Sequence, residues 1–436
     1  MITTANVVQG TLKGVPMDGF TLFKGVPYAA PPVGRRRLAP PQPALSWQGV
    51  RLADQFGCRC PHQDHQPGSF YQKEFFRDAA FMPPMSEDCL YLNIWTPAAS
   101  AEERLPVAVY IHGGGYVEGS GCDAEFDGEA LCKQGLVMIT INYRLNAFGF
   151  LAHPWLTAEA GRSGNYGILD QIAALEWIRD NIASFGGDPN YVTIFGQSAG
   201  ALSVQTIISS PLSTGLVHGA ILQSAGGYDT GIANDRTLAE AESMGVEFAK
   251  MCGAETLEQM RALPVETIVK NVQIVRQQRR GLSFAPVVDG YLLKKGYDKI
   301  VDNGDHLDVP YMIGLTENDI GMTADMLASG EKSRLYHGCV QWSLKNAQLG
   351  RKPAYVYYFT HKPLGDDAGA FHCAELWYMF GLLHRSWRPK DAADYALEKG
   401  MVAAWSNFIK RGNPNGDGAP EWIPCAEPER FVRVFD

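Results

Sequence analysis

Along this chain, short all-apolar runs of strand length alternate with longer stretches whose apolar residues return every three or four positions. Residues 107–111, 137–141 and 192–195 are aliphatic and β-branched runs, and a helical stretch from about 170 to 184 separates the last two. Within that stretch Ile172, Leu175, Ile178 and Ile182 recur at the spacing that puts them on one helix face. A run apolar at every position has both faces buried, as a parallel strand does between two layers of helices. The pattern therefore predicts βαβ units and an α/β fold with a mostly parallel sheet. Gly186-Gly187-Asp188-Pro189 predicts the helix stop. A second strand series at 309–314 and 355–359 predicts that the sheet continues. Segments at about 235–280 and 320–350, rich in helix formers, predict a helical cap over it. A last amphipathic helix is predicted over 391–410, stopped by Gly412-Asn413-Pro414, and a strand at 5–8 before a turn at Gly10 opens the chain. No repeat or linker-like tract interrupts this order, so one domain over 1–436 is expected.

Composition narrows the function. The 436 residues are 46% hydrophobic and 19% charged, an ordinary globular balance. Thirty-eight basic against 47 acidic residues give a net charge of −9, with no basic cluster interleaved with aromatics, which argues against a nucleic-acid partner. No apolar run approaches the roughly 18–20 residues that span a bilayer. The nine cysteines are odd in number and scattered, which predicts mostly reduced thiols. With Met1 leading straight into a strand rather than a signal-like segment, a cytoplasmic location is expected.

Gly196-Gln197-Ser198-Ala199-Gly200 follows the predicted strand at 192–195 and precedes a helical stretch at 201–209. A strand turning at once into a helix lifts a serine hydroxyl clear of the sheet, with glycines where a Cβ would strike backbone. A serine at its free pKa is a weak nucleophile, so a base and a carboxylate that orients it are required, in the chain order Ser, acid, His. Only His337, His361, His372 and His384 lie far enough downstream. Sites in open α/β sheets gather at the strands' carboxyl ends. The loop after 355–359 offers His361 and His372, of which His372 is better spaced; the turn after 309–314 offers Glu317 and Asp319. His112-Gly113-Gly114-Gly115, after the strand at 107–111, offers backbone N–H groups for an oxyanion, and the N–H of Ala199 would complete the hole.

At these residues the chain resembles the type-B carboxylesterase family, the carboxylesterase and cholinesterase group of α/β-hydrolases. The resemblance runs nearly end to end: Phe23-Lys24-Gly25-Val26-Pro27-Tyr28-Ala29, Ser86-Glu87-Asp88-Cys89-Leu90-Tyr91-Leu92-Asn93, Asn142-Tyr143-Arg144, Gly164-Asn165-Tyr166-Gly167 and Gly186-Gly187-Asp188-Pro189 all carry it. It implies the α/β-hydrolase fold and a cofactor-independent, metal-free hydrolysis of small-molecule carboxylic esters. It also implies Ser198 as nucleophile, His372 as base, Asp319 as the acid ahead of Glu317, and Gly114, Gly115 and Ala199 as the oxyanion hole. Arg37 would pair with Glu87 and Arg144 with Asp170, and Ser224 would stand close behind the triad.

The departures from the family bear on substrate. Gln197 stands where the family usually has Glu, removing a charge beside the imidazole. Cys60 and Cys89 match cysteines that secreted relatives bridge. The loop between them holds Phe70, Tyr71, Phe75, Phe76 and Phe81 but no Trp, which points to small apolar or aryl esters rather than choline-type cations. Only 53 positions separate Asp319 from His372 (372 − 319), so a reduced pocket wall and a more open cleft are expected. Cys58, Cys60, His62 and His65 list soft ligands close together, but their spacing fits no common zinc module. Arg35-Arg36-Arg37 and Arg279-Arg280 are read as solvated charge. An esterase-like binding protein without activity, or a hydrolase of amides, carbamates or lactones, are the alternatives, and with a histidine base activity should fall in acid around the ordinary imidazole pKa of about 6.5.

Overall fold

A computed structural model describes residues 1–232, 235–279, 281–416 and 420–436. Ten strands form its central sheet: β1 (Val15–Pro16), β2 (Thr21–Pro27), β3 (Tyr91–Thr96), β4 (Leu105–Ile111), β5 (Val137–Ile141), β6 (Gly187–Gln197), β7 (Gly219–Gln223), β8 (Tyr311–Thr316), β9 (Tyr355–Phe359) and β10 (Arg433–Phe435). Their spatial order is β10-β9-β8-β7-β6-β4-β5-β3-β2-β1. From β4 to β10 all pairings are parallel, whereas β3, β2 and β1 join antiparallel at one edge. The fold is thus the α/β-hydrolase architecture expected, with a mostly parallel sheet and helices beside it. A separate small sheet pairs Thr4–Val7, Gly10–Lys13 and Val50–Leu52.

The central strands are buried throughout: every residue of β5, β7 and β8 is buried. The helix α2 (Tyr166–Asn181) buries more than the single stripe its spacing predicts, because Tyr166, Gly167, Asp170 and Gln171 are covered too. It gives way at Ile182–Phe185 to a tighter turn closed by Gly186 at φ 79°, and Gly187 already belongs to β6. The strand expected at 309–314 begins at Tyr311 instead, since Pro310 has no N–H for the ladder, and it runs on through Thr316. β7 and the antiparallel edge lie outside the two strand series that the hydrophobic pattern marks.

The two expected cap segments fare differently. Residues 235–279 hold α4 (Leu238–Met251), Leu257–Ala262 and α5 (Val265–Gln278), whose Arg276 reaches over the strand ends. In the second segment α6 (Arg334–Gln348) packs on β8 and β9 and buries Leu335, Trp342 and Leu344, so it is a sheet-flanking helix and not a cap. Only the six-residue turn Ala324–Ser329, with no buried residue, stands beside the acid loop. The long C-terminal helix α7 (Ala392–Arg411) ends at Gly412, φ 65°, as predicted.

Two buried Arg–carboxylate pairs tie loops beneath the strand ends. Arg144 Nε and Nη2 donate to Asp170 at 2.8 and 2.7 Å, and Arg37 Nε donates to Glu87 at 2.6 Å. Removing one partner of such a pair strands a buried charge and costs about 3–5 kcal/mol. Arg279 pairs with Glu247 at 2.6 Å, and Arg280 lies outside the described residues.

Candidate active site

The elbow is built as its glycines predict. Ser198 sits between β6 and helix α3 (Ala199–Ile208) at φ 57°, ψ −126°, a conformation few side chains adopt. A Cβ on Gly196 would lie 2.5 Å from the backbone of Gly200, and one on Gly200 2.0 Å from the Ile111 carbonyl. The Ser198 N–H donates to Gln223 O at 2.8 Å, which fastens the elbow to β7. The side chain is left half-buried at the wall of a cavity of about 280 Å³.

His372 lies on the loop after β9 and lines the same cavity. Its Nδ1 is 2.7 Å from Asp319 Oδ1. Asp319 is held in turn by Thr316 N–H (3.0 Å), Thr316 Oγ1 (3.1 Å) and Ile320 N–H (2.7 Å). Burial would push this carboxyl up, but the charge and hydrogen bond of His372 hold it below the usual carboxylate range. Burial alone would lower His372; Cys373 and Asp319 raise it well above the ordinary imidazole value. Since burial keeps the Cys373 thiol protonated near neutrality, the operative charge is that of Asp319. Ser224 stands beside Asp319 with its hydroxyl buried, and it helps to hold that carboxyl low.

Among the described residues no hydrogen bond joins Ser198 Oγ to the imidazole. Gln197 Nε2 instead lies 3.2 Å from His372 Nε2 and 3.4 Å from Nδ1. An atom nearly equidistant from both ring nitrogens at this range lies over the ring face, so the amide leaves the in-plane lone pair of Nε2 free. The other downstream histidines are elsewhere. His361 contacts Asp394 at 2.8 Å, and His337 and His384 are exposed. Glu317 has no side-chain hydrogen bond among the described residues.

Opposite Ser198 runs the glycine turn. Gly114 and Gly115 have φ of 91° and 62°, and a Cβ on Gly114 would fall 2.1 Å from Glu118 O. Among the described residues the N–H groups of Gly114, Gly115 and Ala199 find no acceptor in the protein, as donors facing a cavity should. His112 anchors the turn: burial drives its pKa down to about 3, so it is neutral, stacks on Tyr143 and lies 3.0 Å from Gly113 O through Nδ1.

Tyr71, Phe75 and Phe76 from the aromatic loop, with Phe126 and Leu376, complete the cavity. Four polar groups of the wall carry no motif in the sequence. Arg276 donates to Glu118 at 3.3 Å, while burial pushes the Asp123 carboxyl up to about 6 and that of Glu125 well above its ordinary range. Behind His372, burial and then Asp319 push the Glu375 carboxyl up to about 7. The soft-ligand cluster does not converge: Cys60 Sγ accepts from Leu145 N–H at 3.2 Å, His62 contacts the Cys60 carbonyl, and His65 stacks on Phe76. No disulfide joins Cys60 to Cys89.

The family model described as the carboxylesterase family matches residues 2–337 and 334–434. The chain belongs to that family. It is 33% identical to the fumonisin B1 esterase of Sphingopyxis macrogoltabida over 98% of this chain and 85% of that one. It is 31% identical to the para-nitrobenzyl esterase of Bacillus subtilis over 98% and 93%. A solved PNB esterase structure superposes with a TM-score of 0.87 at 28% identity, covering 100% of this chain and 96% of that one. The protein is a carboxylic ester hydrolase. No helix among its described residues is long and apolar enough to cross a membrane.

Proposed function

We propose that this esterase works through a serine acyl-enzyme. Ser198 Oγ attacks the ester carbonyl carbon while His372 Nε2 takes its proton, and Asp319 holds the imidazole through Nδ1 and balances the positive charge formed. The N–H groups of Gly114, Gly115 and Ala199 receive the developing oxyanion. Collapse breaks the bond to the alcohol, which leaves with the proton from His372; a water, deprotonated by His372, then releases the acid and regenerates Ser198. What carries the reading is the His372–Asp319 pair facing the same cavity into which a strained turn lifts Ser198.

The cavity's size and its aromatic wall favour small apolar or aryl esters. The unbridged thiols suit a reducing compartment, in keeping with a cytoplasmic site of action.

Hydrolysis of a p-nitrophenyl acyl series, acetate to long chains, by the wild type and by Ser198→Ala tests this. The expected result is an optimum at short acyl chains and a fall in kcat of about 10⁴–10⁶ in the variant. Wild-type turnover by Ser198→Ala would refute the mechanism.

A further inference from the structure

Glu74 ends the short helix α1 (Phe70–Glu74) in the aromatic loop and turns inward, 3% exposed. Its carboxylate collects donors from residues 303 to 314 positions later. Trp377 Nε1 donates to Oε1 at 3.1 Å, Trp387 Nε1 to Oε2 at 2.9 Å, and Arg388 Nε to both oxygens at 3.0 Å. Arg388, equally buried, donates from its other end to Asp366 at 2.7 and 3.2 Å, and its guanidinium lies 4.9 Å from the centre of the Phe371 ring. Asp366 and Phe371 precede His372 on its loop, and Trp377 follows it. The apolar contacts repeat the link, for Phe75 stacks on Trp377 at 5.3 Å and Phe70 meets Phe371 edge-on at 5.0 Å.

A buried ion pair is a poor source of stability, because desolvation cancels much of its attraction and apolar residues of the same volume do as well. What a guanidinium between two carboxylates supplies is geometry, since its planar fork fixes both partners' orientation. Here one side of the fork holds the loop that carries Tyr71, Phe75 and Phe76, and the other holds the segment that carries His372.

We propose that Glu74 and Arg388 are positioning residues for the substrate: their ion pair sets the aromatic wall against the His372 segment and thereby selects, among small esters, those bearing an aryl or other apolar group that reaches the wall. The inference rests on the esterase mechanism proposed above and deepens its substrate class. Glu74→Gln keeps the volume but turns an NH₂ toward a Trp or Arg donor, which loosens the wall while Arg388 stays paired with Asp366.

The test is steady-state kinetics on 1-naphthyl butyrate, which reaches the wall, and ethyl acetate, which does not. In Glu74→Gln, KM for the naphthyl ester should rise about tenfold with kcat within about threefold, while ethyl acetate kinetics stay unchanged. The paired variant Glu74→Leu/Arg388→Met, which leaves no buried charge because Asp366 is exposed to solvent, should show the same selective loss and guards against a folding defect in the first. Equal loss on both esters, or a lowered Tm with the ratio of the two esters unchanged, would overturn the proposal. Because the readout is a ratio between substrates, it is separate from the nucleophile's identity, which Ser198→Ala tests alone.

Discussion

The proposed reaction centre and the pocket wall of this esterase are assembled in opposite ways. Ser198, Asp319, His372 and the glycine turn each sit at the carboxyl end of a strand or just beyond it, on parallel strands whose mutual register the ladder sets. The wall is joined instead by side chains far apart in the chain, Glu74 with Arg388 and Glu118 with Arg276, across segments the sheet does not hold. A centre seated on sheet ends is preorganised for charge that develops in the transition state; a wall built from side-chain pairs adjusts what binds. Damage to the first should appear in kcat, and damage to the second in KM.

The hardest blow to the centre that leaves both Ser198 and His372 in place is Asp319→Asn, which leaves the imidazole without its charge and favours the wrong tautomer. A fall in kcat of about 10⁴ is expected. Glu317→Gln, two residues away and without a hydrogen bond to the site, is the control and should stay within about twofold. Gly114→Ala comes next, since its Cβ would press on Glu118 O and shift the turn; kcat should drop about 10²–10³ with KM little changed. A matching rise in KM would blur the distinction between centre and wall.

The smaller effects sharpen it. The proposed mechanism needs His372 neutral, so activity should be lost as pH falls through its folded-state pKa. Because Asp319 holds that pKa well above the ordinary imidazole value, the acid limb of kcat/KM should lie above about pH 6.5, not at it. Gln197→Glu would place a carboxylate over the ring, favour the imidazolium, and move that limb to still higher pH. A limb that moves lower would mean that residue 197 does not face the base. Arg276→Ala removes a partly exposed pair worth about 0–1 kcal/mol, so KM should change by less than about fivefold and kcat not at all.

The same contrast explains what could be read from residues alone. The elbow, the glycine turn and the helix stop at Gly186 are local demands on backbone, met by glycines at fixed spacing, and each sits where the pattern put it. Only the resemblance separates Asp319 from Glu317; in three dimensions Asp319 contacts His372 while its oxygens also accept from Thr316 and Ile320, a geometry no spacing rule separates from its neighbour's. Helix formers say nothing about which layer a helix joins, so the pattern predicts a cap where α6 flanks the sheet. Glu74, Arg276 and Glu375 were invisible as site residues, since a lone charge in a sequence reads as solvated until the partner that buries it is known. The stacked Gln197 amide is likewise a packing outcome; its sequence signal was only a missing charge.

In the proposed mechanism Ser198 carries the acyl group. Incubating the enzyme with a p-nitrophenyl alkylphosphonate, following loss of activity and mapping the adduct by intact-mass and peptide mass spectrometry tests it most directly. One phosphonyl group on Ser198, added in step with inactivation and absent from Ser198→Ala, is the predicted result. Full inactivation with the adduct on another residue, or undiminished ester turnover by an enzyme fully labelled at Ser198, would contradict it.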